Sequence, residues 1–204
     1  MTVADPSPAL APNAKLIAVC CGIGAAFCWS AGFVIARHGI AIGLSPADLT
    51  FHRYVWSGLF LLPLVWRWGL RDLGGIGWGA GIVMMFLGGP GLSMLSYSGF
   101  IFVPLGHGAV IQPATVTVGG IVLATLVLGE VLPWARVVGA ATIVLGLVLM
   151  GIDGLVHIGT HAIGGDLLFV AAGACWASML TLLRYRGMDS VRATVIISVL
   201  SLLI

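Results

Sequence analysis

Charge is what this sequence has least of. Asp, Glu, Lys and Arg make up 8% of its residues, against about a quarter in a soluble domain. Between Asp72 and Glu130 none of the four occurs. The chain is 60% hydrophobic with a mean hydropathy of +1.14. In water it could not cover its own core, so a soluble globular domain is excluded and lipid is the solvent that fits. A net charge of +2 argues against a nucleic-acid partner, which calls for many cations. Cysteine is scarce as well. Cys20, Cys21 and Cys28 share one segment, Cys175 stands alone, and no CxxC occurs. They read as small hydrophobes in lipid. No Asp or Glu is placed deep in a span, so the sequence supplies no carboxylate proton site. Glycine, by contrast, is plentiful at 30 residues, as suits membrane helices that approach closely.

The hydrophobic runs predict an all-α polytopic membrane protein. Residues 1–15, with three prolines, read as a disordered tail. Leu16–Ala36 is a charge-free first span, longer than the apolar region of a cleaved signal peptide. Leu49–Trp66 is the second, with His52 and Arg53 near its start. A third near Trp78–Tyr97 and a fourth near Gly106–Leu128 fill the charge-free stretch. Trp134–Ile152 is the fifth. Residues 153–166 read as a connecting loop because of Gly154 and Gly159. Leu167–Leu183 is the sixth span, and Ala193–Ile204 begins a seventh that stops short. Lys15, Arg67, Arg71, Arg136, Arg184, Arg186 and Arg192 then fall on one side, and Arg37 and Arg53 on the other. That bias places the N-terminus in the cytoplasm.

One string recurs. Ala25, Cys28, Trp29 and Arg37 return 147 positions later as Ala172, Cys175, Trp176 and Arg184. Five spans separate the copies, so the second helix of the pair runs opposite to the first. The pattern predicts an inverted repeat of five-helix units. The first covers residues 16–152, and the second, residues 167–204, breaks off in its second helix. Inverted repeats are a transporter device that places a substrate site near the midplane between halves.

Several residues resemble the EamA-type permeases of the drug/metabolite transporter superfamily. They are Cys28-Trp29-Ser30 with Arg37, Ser45-Pro46, Arg53, Gln112-Pro113, Leu128-Gly129-Glu130, Gly139 and Gly146. The resemblance covers about Gly22 to Gly151 and the opening of the second copy. It implies ten helices in two inverted repeats, in a plasma or inner cell membrane. It also implies transport, often export, of small metabolites such as amino acids. The expected partners are a small-molecule substrate, membrane lipid, and either a second copy of the chain or a missing C-terminal half. No cofactor is expected.

Four residues are candidates for substrate contact. Arg53 lies inside a span, where a charge faces a cavity or partner; it either holds an anionic group or snorkels to the interface. Trp29 and Trp176 sit within spans and either line a cavity or pack between helices. Gln112, the one amide of the fourth span, bonds substrate or a neighbouring helix. Pro90 and Pro113 are expected to loosen their helices. Glu130 is expected to accept from the free N–H groups that open the fifth span. His52 and His107 read as interfacial. Asp153, His157 and His161 are spaced by four, but a loop there argues against a metal site. The alternatives to a permease are a non-transporting fragment or subunit, and an intramembrane enzyme built on Ser93 and His107. That enzyme reading lacks an oxyanion-hole signal.

Overall fold

Every regular element in the computed structural model is helical, and the structure describes residues 12–68 and 73–203. In chain order these are α1 (Pro12–Ala41), α2 (Pro46–Trp68), α3 (Trp78–Gly88) and α4 (Pro90–Phe102). There follow α5 (Leu105–Leu128), α6 (Trp134–His157), α7 (His161–Tyr185) and α8 (Ser190–Leu200). Short 3₁₀ turns lie at Leu73–Gly75 and Ser201–Leu203. With no water in a bilayer core, a helix satisfies its backbone internally, which is why the hydrophobic runs become helices rather than open strands. Among the described residues five stretches are long and apolar enough to cross a membrane: Ala14–Ala41, Trp78–Phe102, Leu105–Leu128, Trp134–His157 and His161–Tyr185. At 23 residues α2 is also long enough, at about 1.5 Å per residue. Its start carries the polar residues Asp48, His52 and Arg53, which set it apart from those five.

Helix boundaries follow local chemistry. Ser45 and Asp48 form a reciprocal cap on α2. The Ser45 backbone N–H and hydroxyl donate to Asp48 Oδ2 at 2.9 and 2.7 Å, and Asp48 N–H donates back to Ser45 Oγ at 3.1 Å. Those hydrogen bonds, the side-chain one first, hold the Asp48 carboxyl below its ordinary range. Pro46 occupies the first helical position, where its missing N–H costs nothing. Pro90 ends α3 and opens α4, with only Gly89 between them. The break falls about 17 Å from the start of α3 and about 20 Å from the end of α4, near mid-span. Pro113 behaves differently and leaves α5 continuous, as Pro63 leaves α2.

Two sequence expectations are corrected. Residues 153–166 are not a connecting loop. α6 runs on to His157, α7 starts at His161, and only residues 158–160 link them. Gly159, at φ +97°, makes the turn, whereas Gly154 lies within α6, and a neighbouring side chain occupies the place its own would take. A Cβ there would lie 2.7 Å from His107 Cε1. Likewise α1 begins at Pro12, so residues 12–15 belong to a helix. The rest of the expected tail, residues 1–11, lies outside the described residues, as do Arg71 and Asp72.

The helices pack into two apolar cores. One joins Val65 of α2, Met84 and Met85 of α3, Leu183 of α7 and Ile196 and Leu200 of α8. The other joins Ala36 of α1, Tyr97 and Phe100 of α4, Ile111 of α5 and Ala162 and Phe169 of α7. α7 belongs to both and packs most extensively against α5 and α4. Facing positions along the helices give their directions. His107 faces Asp166, Gln112 and Thr115 face Gly173, and Gly119 faces Ala177, so α5 and α7 run parallel. Along α1, Trp29 meets Trp176, while Phe33 reaches Phe169 by way of Phe100, so α1 and α7 run in opposite directions.

Close approach of α7 depends on missing side chains. A Cβ on Gly99 would lie 2.8 Å from the Phe169 ring, and one on Gly108 would lie 2.6 Å from it. Phe169 is fully buried between them. Phe169→Ala is expected to lower stability in detergent by about 3 kcal/mol, because the atoms that now surround the ring would face a void. The control Leu126→Ala, at an exposed position, is expected to change it by no more than about 0.5 kcal/mol. Chemical denaturation of both variants measures the difference, and equal effects would contradict the clamp.

Candidate functional site

Three polar side chains of the span interior lie on one face of α4. Ser93, Ser96 and Tyr97 recur at i, i+3 and i+4, a spacing that puts all three on one side of a helix. Each serves a neighbouring helix. Tyr54 Oη of α2 and Ser93 Oγ share a hydrogen bond at 3.0 Å. Arg53 Nη1 donates to Tyr97 Oη at 3.0 Å. Ser96 Oγ lies 3.0 Å from Gln112 Oε1 of α5 and equally close to the Leu92 carbonyl. In a low-dielectric interior an unpaired polar atom is costly. Among the described residues no buried side-chain nitrogen or oxygen lacks a partner.

A second feature lies between α1 and α5. Trp29, Ser30, Phe33 and Val34 of α1 face Leu105, Ala109 and Pro113 of α5 across a cleft of about 210 Å³. Its lining side chains are apolar apart from the Ser30 hydroxyl and the Trp29 indole N–H. Pro113 has no N–H to give to the carbonyl four residues back, and that residue, Ala109, is itself on the wall. Trp29 packs edge-on against Trp176 of α7, with ring centroids 4.6 Å apart and planes at 61°. Such aromatic pairs favour this offset geometry because ring edges are positive and faces negative.

The four expected contact residues therefore fall in two places. Trp29 and Trp176 meet beside the cleft, joined by Pro113 on the opposite wall. Arg53 and Gln112 belong to the polar face of α4, with Gln112 bonded to a neighbouring helix. Tyr54, Ser96 and Tyr97 escaped sequence reasoning, although for Ser96 and Tyr97 the i, i+3, i+4 spacing with Ser93 in a charge-free stretch carried the signal. Ser93 partners Tyr54, and His107 partners Asp166, so these side chains do not form the nucleophile–base pair that an enzyme reading requires.

Three expectations change. Glu130 does not cap α6, whose N-cap is Pro133 with no side-chain hydrogen bond. Its carboxylate instead pairs with Arg136 at 3.4 Å and with Arg184 of α7, because two guanidinium groups attract it more strongly than partial charges on N–H groups. His107 is not interfacial. It is buried, and its Nδ1 lies 2.7 Å from Asp166 Oδ1. Asp166 is thus a carboxylate within a span, hidden from the sequence by the supposed loop. Asp153 and His157 lie one turn apart on α6 and pair with each other at 3.0 Å. Among the described residues no three His, Cys, Asp or Glu side chains converge as a metal set would.

A double-mutant cycle on Trp29→Ala and Trp176→Ala, read by unfolding in detergent, is expected to give a coupling of about 1 kcal/mol. Additive effects would show that the rings are neighbours without interacting.

Residues 16–152 match the model of the EamA-like transporter family. No curated protein matches the chain, and no solved structure does.

Proposed function

The chain belongs to the EamA-like transporter family, and we propose that this multi-pass membrane protein is a permease moving small metabolites or drugs by alternating access. Amino-acid export is one such activity. The observation that carries this reading is the meeting of Trp29 and Trp176 from helices of opposite direction, beside an apolar cleft. Residues that recur in an inverted repeat and converge between its halves are where such transporters bind substrate. The mid-span break at Gly89-Pro90 supports the same reading, since discontinuous helices are tolerated where they border protein or a cavity.

Arg53 is assigned to an anionic group of the substrate, such as a carboxylate. A guanidinium has five N–H donors, and the Arg53–Tyr97 hydrogen bond engages one Nη. Among the described residues no Asp or Glu makes an ion pair with it. A charge two turns into a span favours an ionic partner, and a carboxylate matches the guanidinium fork. Trp29 and Trp176 supply apolar contact for the remainder of the substrate, and Gln112 keeps α4 and α5 in register.

In liposomes holding the purified chain, labelled amino acids and small organic acids are expected to exchange faster than in empty liposomes. Arg53→Gln and Trp29→Ala are each expected to slow the initial rate about tenfold, equivalent to about 1.4 kcal/mol, when rates are compared at equal amounts of folded protein. Parent rates equal to those of empty liposomes, or unaffected rates in both variants, would overturn the reading. Exchange that arises only when a further polypeptide is supplied would favour the alternative of a subunit needing a partner.

The plasma or inner cell membrane is the proposed location, with the N-terminus in the cytoplasm. Lys15, Arg67, Arg136, Arg184, Arg186 and Arg192 cluster at helix ends on the side of the bundle where α1 starts, which supports that orientation. A cysteine at Leu44 is expected to react with an impermeant maleimide from outside intact cells, and one at Arg186 only after permeabilisation. The reverse pattern would overturn the orientation.

A further inference from the structure

Hydroxyls within these helices mostly turn back on the helix that carries them. Thr115 donates to the Ile111 carbonyl, Thr117 to that of Pro113 and Ser178 to that of Ala174, each four residues back, at 2.8 or 2.9 Å. Ser30 of α1 does not. Its hydroxyl makes no hydrogen bond among the described residues, and it lies on the wall of the cleft between α1 and α5. Across the cleft, Leu105, Ala109 and Pro113 form one row of α5, spaced by four. The carbonyl of a helical residue points at the N–H four positions on. The Ala109 carbonyl therefore points along this row at Pro113, which has no N–H to offer. The cleft thus holds an unmet hydroxyl on one wall and, on the other, a carbonyl short of its helical donor. Unmet polar groups are costly at membrane depth.

We propose that this cleft binds an uncharged group that both donates and accepts a hydrogen bond, carried on an aromatic body. A primary amide has the required chemistry: its N–H donates to the Ala109 carbonyl, and its own carbonyl accepts from the Ser30 hydroxyl. On the reading of this cleft as a substrate site, the amide belongs to the part of the substrate that the tryptophans hold. The group is uncharged because no lining residue is ionisable. An ammonium or carboxylate would lie there without a counter-ion, at a cost far above that of an amide. The aromatic body follows from the Trp29 and Phe33 rings, which stack with centroids 6.0 Å apart and both face the cleft. Size agrees. An apolar cavity of about 150 Å³ takes benzene, and the cleft, at about 210 Å³, has room for a ring and a short substituent.

Phenylacetamide is the probe. It is compared with methyl phenylacetate, which accepts but cannot donate, and with phenethylammonium, which donates but is charged. Equilibrium dialysis of radiolabelled phenylacetamide against the full chain in lipid nanodiscs, with binding to empty nanodiscs subtracted, is expected to show saturable binding. The ester is expected to compete about tenfold more weakly, the worth of one neutral hydrogen bond, and the ammonium also more weakly than the amide. Ser30→Ala should weaken amide and ester together, since both lose the donor to their carbonyl. Pro113→Ala restores an N–H to the Ala109 carbonyl and should bring the affinity for the amide down to that for the ester.

Equal binding of amide and ester by the parent, tighter binding of the ammonium, or no effect of either substitution overturns the proposal. So does a lack of saturable amide binding, the result if an acyl chain fills the cleft. Should one variant fail to fold, the other decides together with the comparison of probes on the parent. Transport is read separately. Liposomes that exchange no labelled amino or organic acid, while the amide binds in this way, overturn the permease reading and leave the amide site standing. Exchange without amide binding does the reverse.

Discussion

Phe169 sits between Gly99 and Gly108, and the arrangement of the bundle follows from that clamp. Neither glycine has a side chain to hold α4 or α5 away from the ring. Lipid tails are as apolar as the ring itself, so helices here gain little from burial and must gain from fit. Three helices that approach to backbone distance around one aromatic ring obtain dense van der Waals contact. α7 is thereby drawn to the centre, where it enters both cores, whereas α1 and α6 stay peripheral. Both the aromatic pair and the His107–Asp166 contact depend on α7 lying there, since Trp176 and Asp166 are on it.

The scarcity of charge makes the placement of each polar group informative. Most are engaged in joining helices: Tyr54 with Ser93, Ser96 with Gln112, Glu130 with Arg136 and Arg184. Such bonds fix register more than they add stability, for exposed ion pairs contribute about 1 kcal/mol or less. Arg53 differs because a tyrosine hydroxyl meets only a fraction of its donor capacity. This contrast, rather than the mere presence of an arginine in a span, is what supports the substrate contact proposed for Arg53.

Spans were legible in the sequence because hydrophobic length is a strong signal in lipid. The convergence of Trp29 and Trp176 was legible through the repeat, whose odd number of intervening spans also forecast their opposite directions. What was illegible has a common cause. Gly154 and Gly159 are the same letter five positions apart, yet one relieves a packing contact and the other turns the chain at φ +97°. Reading both as breakers unwound the end of α6 and the start of α7, and Asp166 went with them. Glu130 was misread because its partner Arg184 is 54 residues away, beyond any local pattern. The polar face of α4 was present as spacing, but three hydroxyls in an apolar run resemble small-residue packing until their partners are seen.

The break at Gly89-Pro90 leaves one span with two allegiances. α3 is built into the core that contains α8, and α4 into the core that contains Phe169. A continuous helix would weld these cores together, since bending it would stretch a ladder of hydrogen bonds. Here the ladder is already interrupted, because Pro90 has no N–H to contribute. Gly89 has no side chain to displace, and a Cβ there would lie 2.2 Å from the Met85 carbonyl oxygen. The membrane-spanning rod is thus a jointed one, and the two cores are held together instead by α7, the unbroken helix that enters both.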